Sequence, residues 1–394
     1  MLFSDIVGHD DTKQTLVRAV QTNHLAHALL FDGRAGSANL ALALALATYV
    51  NCETRSGSGD EGGLFGATAA ALEAPLSDGC GRCSSCMKMS RLVHPDLHMV
   101  YPVANLGKGK NTSEAVLPEW RKFLIDNPYR TLSDWLDATG GENKQGNIAA
   151  EEARNILQKL SLKAYEGAYK IMLIWLPELM NVASANALLK VLEEPPERTL
   201  FLLVTNQPDK LLVTILSRAQ RVAVRNFTDT EVATHLRQTL NLDETRARRL
   251  AYLTDGNLAQ ALKMGQTKSD DTVGDQHAWF ADWMRACYRQ DLNWLVKQAD
   301  QFDALPKDRQ KGLFDYSLRL CRDLFLFQQG ATQLLRLPDD ELKFVQNFGK
   351  ILRPDLIDRM VGDLNEAAYH IERNARPKMV LLDLSLTFAR LIKN

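Results

Sequence analysis

Four cysteines in the first quarter of this 394-residue chain have the type and spacing of a metal site. Cys80, Cys83 and Cys86 follow one another at intervals of three residues, and Cys52 lies upstream. Thiolates are preferred zinc ligands, and four protein ligands leave no open coordination position. The pattern therefore predicts a structural zinc ion. A reduced, metal-free cluster and a redox dithiol are the alternatives.

The fourth ligand depends on a long loop. Residues 53–79 separate Cys52 from Cys80, but the entropy cost of closing a loop grows only with the logarithm of its length. Cys52 is therefore retained as the fourth ligand, with His94 in reserve. Residues 56–63 are rich in glycine and serine, which indicates a flexible insertion.

A glycine-bearing loop that begins at Gly33 has the setting of a phosphate-binding loop. It lies between a short apolar run and an Ala/Leu-rich helix, as the pattern GxxxxGK(S/T) requires. Ala38 stands at the second glycine, Asn39 at the lysine that contacts phosphate, and Leu40 at the hydroxyl that binds magnesium. Productive ATP binding is therefore not expected. A plain turn that never bound a nucleotide is the alternative.

The acidic residues of such a site are also missing. In ATPases with this loop, an apolar strand ends in adjacent acids that hold magnesium and orient water. Here the strand around 169–174 is followed by Trp175 and Leu176, whose side chains cannot bind a hard cation. Two separate parts of one site are replaced, which favours a chain that does not use this chemistry.

The elements that must position these residues alternate between apolar strands and helices. Residues 169–176 and 200–204 are apolar almost throughout, and Asn181 can cap the helix between them. Such strands predict a parallel sheet covered on both faces. After Phe227 the pattern is helical, and residues 266–275 form a polar, linker-like stretch. The predicted fold class is α/β plus all-α.

Composition excludes several other classes. The net charge of −1 argues against a protein that coats nucleic acid by bulk charge. No apolar run reaches about 18 residues, so no membrane span is expected. The N-terminus lacks the pattern of a secretory signal, which predicts a cytoplasmic protein. Cysteines in that reducing compartment point to metal binding or burial rather than disulfides.

One segment carries a specific family resemblance. Residues 186–196 read NALLKVLEEPP and closely resemble the NALLKxLEEPP signature of bacterial DNA polymerase III clamp-loader subunits, a family of AAA+ proteins. The sequence Ser217-Arg218-Ala219 resembles the family's Ser-Arg-Cys motif, with alanine in place of cysteine. The resemblance covers roughly residues 1–265, apart from the insertions.

The resemblance implies a domain organisation. Residues 1–226 would form the AAA+ P-loop-type parallel sheet domain with a degenerate phosphate loop. That domain would contain a zinc module near 52–86 and insertions near 53–79 and 102–146. A small helical lid domain would span 227–265. A helical collar domain, the oligomerisation element, would span 276–394; this part fits by length and pattern only.

The resemblance also implies a role. With its degenerate site, the chain is similar to the family's non-catalytic delta-prime branch, which assists loading of the sliding clamp onto primed DNA. In the family the arginine of Ser-Arg-Cys reaches ATP on the neighbouring subunit, a role that falls here on Arg218. Ala259 stands where the lid often has a nucleotide-sensing arginine. The implied partners are clamp-loader ATPase subunits, a delta-like subunit, the sliding clamp and primer–template DNA.

Two other functions are compatible with parts of the sequence. An active AAA+ ATPase would turn over nucleotide as the purified chain, against which the four substituted positions argue. A zinc-dependent nucleic-acid-binding module would bind DNA in a salt-dependent manner as the isolated chain. The near-neutral charge argues against the second.

Overall fold

The computed structural model describes residues 1–56, 77–104, 112–141, 146–161, 163–266, 271–335, 337 and 339–393. The chain forms two compact units, Met1–Gln266 and Thr267–Asn394. Most of the glycine-rich insertion that the sequence predicts at 53–79 lies outside the described residues. No helix in the described ranges is long and apolar enough to cross a membrane.

The first unit is built on a five-stranded sheet in which all neighbouring strands are parallel. In chain order the strands of this unit are β1 Ala28–Asp32, β2 Leu97–Val100, β3 Val103–Ala104, β4 Gly146–Asn147, β5 Lys170–Trp175, β6 Thr199–Thr205 and β7 Gln220–Ala223. The order across the large sheet is β2-β5-β6-β1-β7, and β3 pairs with β4 in a short antiparallel ribbon. Every residue of β5 and β6 is buried, as the sequence predicts for interior parallel strands.

Helices cover the sheet and complete the first unit. They are α1 Asp10–Gln21, α2 Asn39–Val50, α3 Glu53–Ser56, α4 Ser84–Ser90, α5 Leu117–Asp126, α6 Leu132–Ala138, α7 Ala150–Ser161, α8 Val182–Glu193, α9 Val213–Leu216, α10 Asp229–Leu240, α11 Glu244–Thr254 and α12 Leu258–Gln266. All residues of α2 are buried, because a helix that is apolar all round can lie within the core. Asn181 caps α8 through a 2.8 Å bond from the N–H of Ser184 to its Oδ1, as the sequence predicts.

The hydrophobic core joins the sheet to α7, α8 and α9. It includes Leu30 of β1, Ile174 of β5 and Leu203 of β6, which lie side by side across three strands. Leu188 of α8 and Ile215 of α9 are 0% and 1% exposed in the same core. Both α8 and α9 are therefore anchored to the same core by buried side chains.

The second unit is helical throughout its described secondary structure. Its helices are α13 Asp271–Arg289, α14 Leu292–Asp303, α15 Lys307–Gln328, α16 Asp339–Phe348, α17 Pro354–Glu372 and α18 Pro377–Lys393. Trp283 packs on Phe388 with ring centroids 5.4 Å apart, and its Nε1 donates to Oγ of Ser385 at 2.8 Å. Helix α13 begins at Asp271, inside the stretch 266–275 that the sequence indicates as a linker.

Candidate functional site

The loop after β1 is stabilised by Asn39, the residue at the position of the phosphate-binding lysine. Its Nδ2 donates to the carbonyl oxygens of Gly33 at 3.1 Å and Thr205 at 3.3 Å, and to Oδ1 of Asn206 at 3.0 Å. Asn39 is 5% exposed. Its amide is therefore used to hold the loop against the end of β6, and it brings no positive charge to the site.

Residues at the start of α12 contact the same loop from the other side. The N–H of Leu258 donates to the carbonyl oxygen of Gly36 at 3.1 Å. Gly36 has φ +80°, and a Cβ there would lie 2.0 Å from Oδ1 of Asn257. Ala259, which the family resemblance places at the position of a sensing arginine, is 7% exposed. The two residues that approach Gly36 from α12 and its N-terminus, Asn257 and Leu258, are therefore neutral, while Arg34 of the loop lies 4.0 Å from Asp255.

The end of β5 is apolar and buried. Trp175 and Leu176 are 2% and 3% exposed. The first acid after the strand is Glu178, whose carboxylate accepts hydrogen bonds from Thr205 Oγ1 at 2.8 Å and the N–H of Asn206 at 3.0 Å. Burial raises the pKa of Glu178, and these hydrogen bonds oppose the rise. Glu178 thus holds the end of β6, a role that sequence reasoning missed.

A cluster of aromatic rings packs over the end of β5. Trp120 lies between Tyr101 and Trp175, with centroid separations of 4.1 Å and 5.0 Å. Trp135 contacts Trp120 at 4.9 Å and donates its Nε1 to the carbonyl oxygen of Pro102 at 2.8 Å. Sequence reasoning did not predict this cluster. Aromatic residues at helical spacing within 102–146 were the available signal.

The same segment reaches the helices after β7. The ring of Tyr129 lies 5.6 Å from that of Phe227 and 5.9 Å from His235 of α10. Asp134 lies 3.8 Å from Nζ of Lys263 on α12. Residues 112–141 therefore connect the end of β5 with the helical part that follows β7.

The four cysteines of the predicted metal site come together. Their Sγ atoms all lie within 4.8 Å of one another, and Sγ of Cys80 is 3.9 Å from Sγ of Cys86. Tetrahedral zinc with bonds of about 2.3 Å places its sulfur ligands about 3.8 Å apart. Sγ of Cys52 accepts the N–H of Cys80 at 3.4 Å, and Sγ of Cys80 accepts that of Cys83 at 3.3 Å. Both the separations and the hydrogen bonds fit four thiolates around one ion.

His94, the reserve ligand, lies outside this group. Its Nδ1 accepts the N–H of Asp96 at 3.1 Å, and its Nε2 lies 3.4 Å from Oε1 of Glu166. Burial lowers the pKa of His94, and the carboxylates of Glu166 and Asp96 oppose this shift. Of the two residues considered for the fourth position, the geometry brings Cys52 to the other cysteines.

Arg218 lies in the turn after α9. Its Nη2 is 2.7 Å from Oε1 of Glu193, the last residue of α8. Its Nη1 donates to the carbonyl oxygen of Thr214 at 3.0 Å and to Oγ of Ser217 at 3.2 Å. The side chain is 33% exposed. Arg218 is thus a partly exposed cation whose orientation is fixed by Glu193, Thr214 and Ser217.

The parallel sheet, the altered phosphate loop after β1 and the signature on α8 define an AAA+-type clamp-loader subunit. The family model described as "DNA polymerase III, delta subunit" matches residues 8–228. Because this match covers more than half of the chain, the protein belongs to that family of clamp-loader subunits.

Individual relatives fall into two groups. The DNA polymerase III subunit delta' of Escherichia coli K12 is 25% identical over 354 residues, which cover 89% of this chain and 84% of that protein. The subunit delta' of Bacillus subtilis is 26% identical over 326 residues, covering 82% and 79%. The subunit tau of Bacillus subtilis is 25% identical over 267 residues, but the match covers 66% of this chain and only 37% of tau. The chain thus spans about a third of its tau relative and most of the delta' proteins.

Proposed function

We propose that this chain is a non-hydrolysing, delta-prime-type subunit of the replicative clamp loader. It works in the cytoplasm as a component of the DNA polymerase III holoenzyme. In a hetero-oligomeric ring with ATPase subunits and a delta-like subunit, it helps ATP-driven loading of the sliding clamp onto primer–template DNA. The matches to delta' proteins, which run along most of both chains, support this role over that of tau.

One observation carries the non-hydrolysing part of the proposal. The amide of Asn39 bonds three oxygens of the neighbouring loop and strand ends, where an ATPase has the lysine that contacts phosphate. The buried ring of Trp175 lies where the first magnesium-binding acid would be. A change of rotamer at Asn39 or Trp175 would not restore ATP or magnesium binding, because neither side chain carries the charge that this binding requires.

Arg218 is proposed to act in trans on the ATP of a neighbouring ATPase subunit. A guanidinium is permanently charged and presents a planar fork of donors, which suits the charge that develops on a transferring γ-phosphate. Its position in the Ser-Arg-Ala segment and its partial exposure support this role.

The four cysteines are proposed to hold a structural zinc ion. The ion would supply cross-links between α2, α4 and the loop before α4, since Cys52 follows α2 and Cys86 lies on α4. Four protein ligands leave no site for water or substrate, so the ion would stabilise the fold rather than take part in a reaction.

The domain limits stay part of the proposal. They are 1–226 for the AAA+ domain with its degenerate phosphate loop, 227–265 for the lid and 276–394 for the collar. Expression of each segment with protease mapping would test them.

The decisive experiment reconstitutes the clamp loader with and without this chain. We expect the purified chain to show no ATP turnover and to restore clamp- and DNA-stimulated ATPase activity to a mixture of the other subunits. Turnover by the rigorously purified chain would overturn the non-hydrolysing role. Failure to co-purify with the ATPase subunits would overturn the clamp-loader role.

A further inference from the structure

One arm of the Arg218 guanidinium is held by its own turn. Nη1 donates to the carbonyl oxygen of Thr214 and to Oγ of Ser217, at 3.0 Å and 3.2 Å. The N–H of Arg218 donates to the carbonyl oxygen of Ile215 at 3.1 Å, which continues the last turn of α9. The backbone and one arm are therefore fixed by the four residues that precede Arg218.

Glu193 holds the other arm from a different element. Its Oε1 lies 2.7 Å from Nη2 of Arg218. Glu193 ends α8, and Pro195 and Pro196 prevent the helix from continuing. Because α8 and α9 pack into one core, the position of Glu193 relative to the turn is set by buried contacts rather than by the ion pair.

These contacts leave part of the fork available. A guanidinium carries five N–H donors, and the three contacts use three of them. Within the part of the chain that the structure describes, the Nε–H and the second Nη2–H of Arg218 make no hydrogen bond. An anionic oxygen from a neighbouring molecule can take these donors while the contact with Glu193 is kept.

We infer that Glu193 is a positioning residue for Arg218, holding the guanidinium in the orientation in which it meets the neighbouring ATP. This inference rests on the proposed trans role of Arg218. An arginine samples many rotamers, so fixing it in advance leaves less conformational entropy to be lost when the transition state forms. A carboxylate could instead compete with phosphate for the arginine. That alternative predicts the opposite sign when Glu193 is removed.

The test uses the full-length chain in the reconstituted clamp loader, with clamp and primed DNA, and measures kcat and KM for ATP. The variants are Glu193→Ala, Glu193→Gln, Arg218→Ala and the double variant Glu193→Ala/Arg218→Ala. Glu194→Gln is the matched control, since Glu194 is the exposed neighbour in sequence and is not among the hydrogen-bond and ion-pair partners of Arg218. Co-purification and thermal unfolding confirm assembly and folding of each variant.

We expect Glu193→Ala to lower kcat about two- to fivefold, the range that an exposed ion pair typically contributes. The kcat of Glu193→Gln should fall less, because the amide oxygen still accepts a hydrogen bond. If the alanine variant does not assemble, the kcat of Glu193→Gln tests the inference instead. Glu194→Gln should match the wild type. The double variant should equal Arg218→Ala, because a positioning residue has no effect once its arginine is gone.

Three results would overturn the inference while leaving the proposed trans role of Arg218 in place. A higher kcat for Glu193→Ala would show competition rather than positioning. An unchanged kcat would show that the ion pair has no role in the reaction. A double variant that falls below Arg218→Ala by the full factor of Glu193→Ala would show that Glu193 acts independently. If Arg218→Ala itself matches the wild type, the proposed trans role fails, and this inference fails with it.

Discussion

Trp120 of α5 packs against Trp175 at the end of β5, with ring centroids 5.0 Å apart. In the proposed function, Trp175 stands where an ATPase of this class would have a magnesium-binding acid. The contact therefore places part of the segment 112–141 over a site that in an ATPase must stay polar and open to solvent. The aromatic side chain of Trp175 is thus part of the cluster that covers this end of the sheet.

Trp120→Ala should destabilise the first unit by about 3–5 kcal/mol, the range for removing a buried tryptophan. Trp120 is 0% exposed, and the substitution removes its ring contacts with Tyr101 and Trp175. Chemical denaturation followed by tryptophan fluorescence measures the change. Ile125→Ala on the same helix is the control, because Ile125 is 55% exposed and should change stability by under about 0.5 kcal/mol. Equal stability of the Trp120 variant and the wild type would mean that the cluster is not formed.

Asn39→Lys should not create an ATP site. The new lysine would supply one charge, but Trp175 and Leu176 still could not bind magnesium, and Asn257 would still lie against Gly36. Isothermal titration calorimetry with magnesium–ATP should give no micromolar affinity for either the wild type or this variant. Micromolar binding by the wild-type chain would show that the altered loop still accepts nucleotide.

Cys83→Ser should reduce the zinc content from about one ion per chain to a substoichiometric amount, because the remaining three thiols hold zinc less tightly. Elemental analysis of protein purified without added metal measures this. Cys287→Ser is the control: Cys287 is buried in the second unit and should leave the zinc content unchanged. If elemental analysis finds no stoichiometric metal in the native protein, the four cysteines do not hold a structural zinc ion.

Arg218→Ala should lower the clamp- and DNA-stimulated ATPase activity of the reconstituted complex and slow clamp loading. An arginine finger contributes about 10³–10⁵ in rate in GTPases, but a ring with several ATP sites should lose less overall. Arg218→Lys should restore little, because an ammonium lacks the planar fork. Arg248→Ala, which removes another exposed, ion-paired arginine, should leave the rate unchanged. If the complex with Arg218→Ala loads clamps at the wild-type rate, Arg218 does not act on the neighbouring ATP and the role of this chain is structural.

Stability should fall between about pH 6.5 and pH 4, in part because of His9. Burial, aided by the charge of Arg225, lowers the pKa of His9 to about 4. The unfolded chain takes up a proton near its ordinary pKa of about 6.5, so between these values it binds more protons than the folded chain and unfolding is favoured. The loss from this one group approaches about 3 kcal/mol at pH 4.

The variant His9→Gln isolates this effect. Its unfolding free energy should depend less steeply on pH over the same range, measured by denaturation at several pH values. Acid release of zinc would affect both proteins alike, so the difference between them reports on His9. Equal slopes would mean that His9 is not held neutral by the fold.

Much of the first unit could be predicted from local pattern. The strand at 170–175, the cap at Asn181 and the buried helix α2 follow from apolar runs and capping residues, which act over a few neighbouring positions. Substitution at Asn39, Leu40 and Trp175 is likewise visible in the sequence, because the charge or hydroxyl that phosphate and magnesium require is simply missing. The spacing of Cys80, Cys83 and Cys86 keeps three thiols within one short segment, the start of α4 and the loop before it.

The tertiary structure decided what depends on distance between remote segments. Only folding places Cys52 beside Cys80 and His94 beside Glu166, and only folding brings Glu193 to Arg218. Sequence patterns report periodicity and local capping, whereas these contacts depend on how α2, α8 and α9 pack against the same sheet. The aromatic cluster was missed for the same reason: its rings come from three segments that become neighbours only when the sheet has formed.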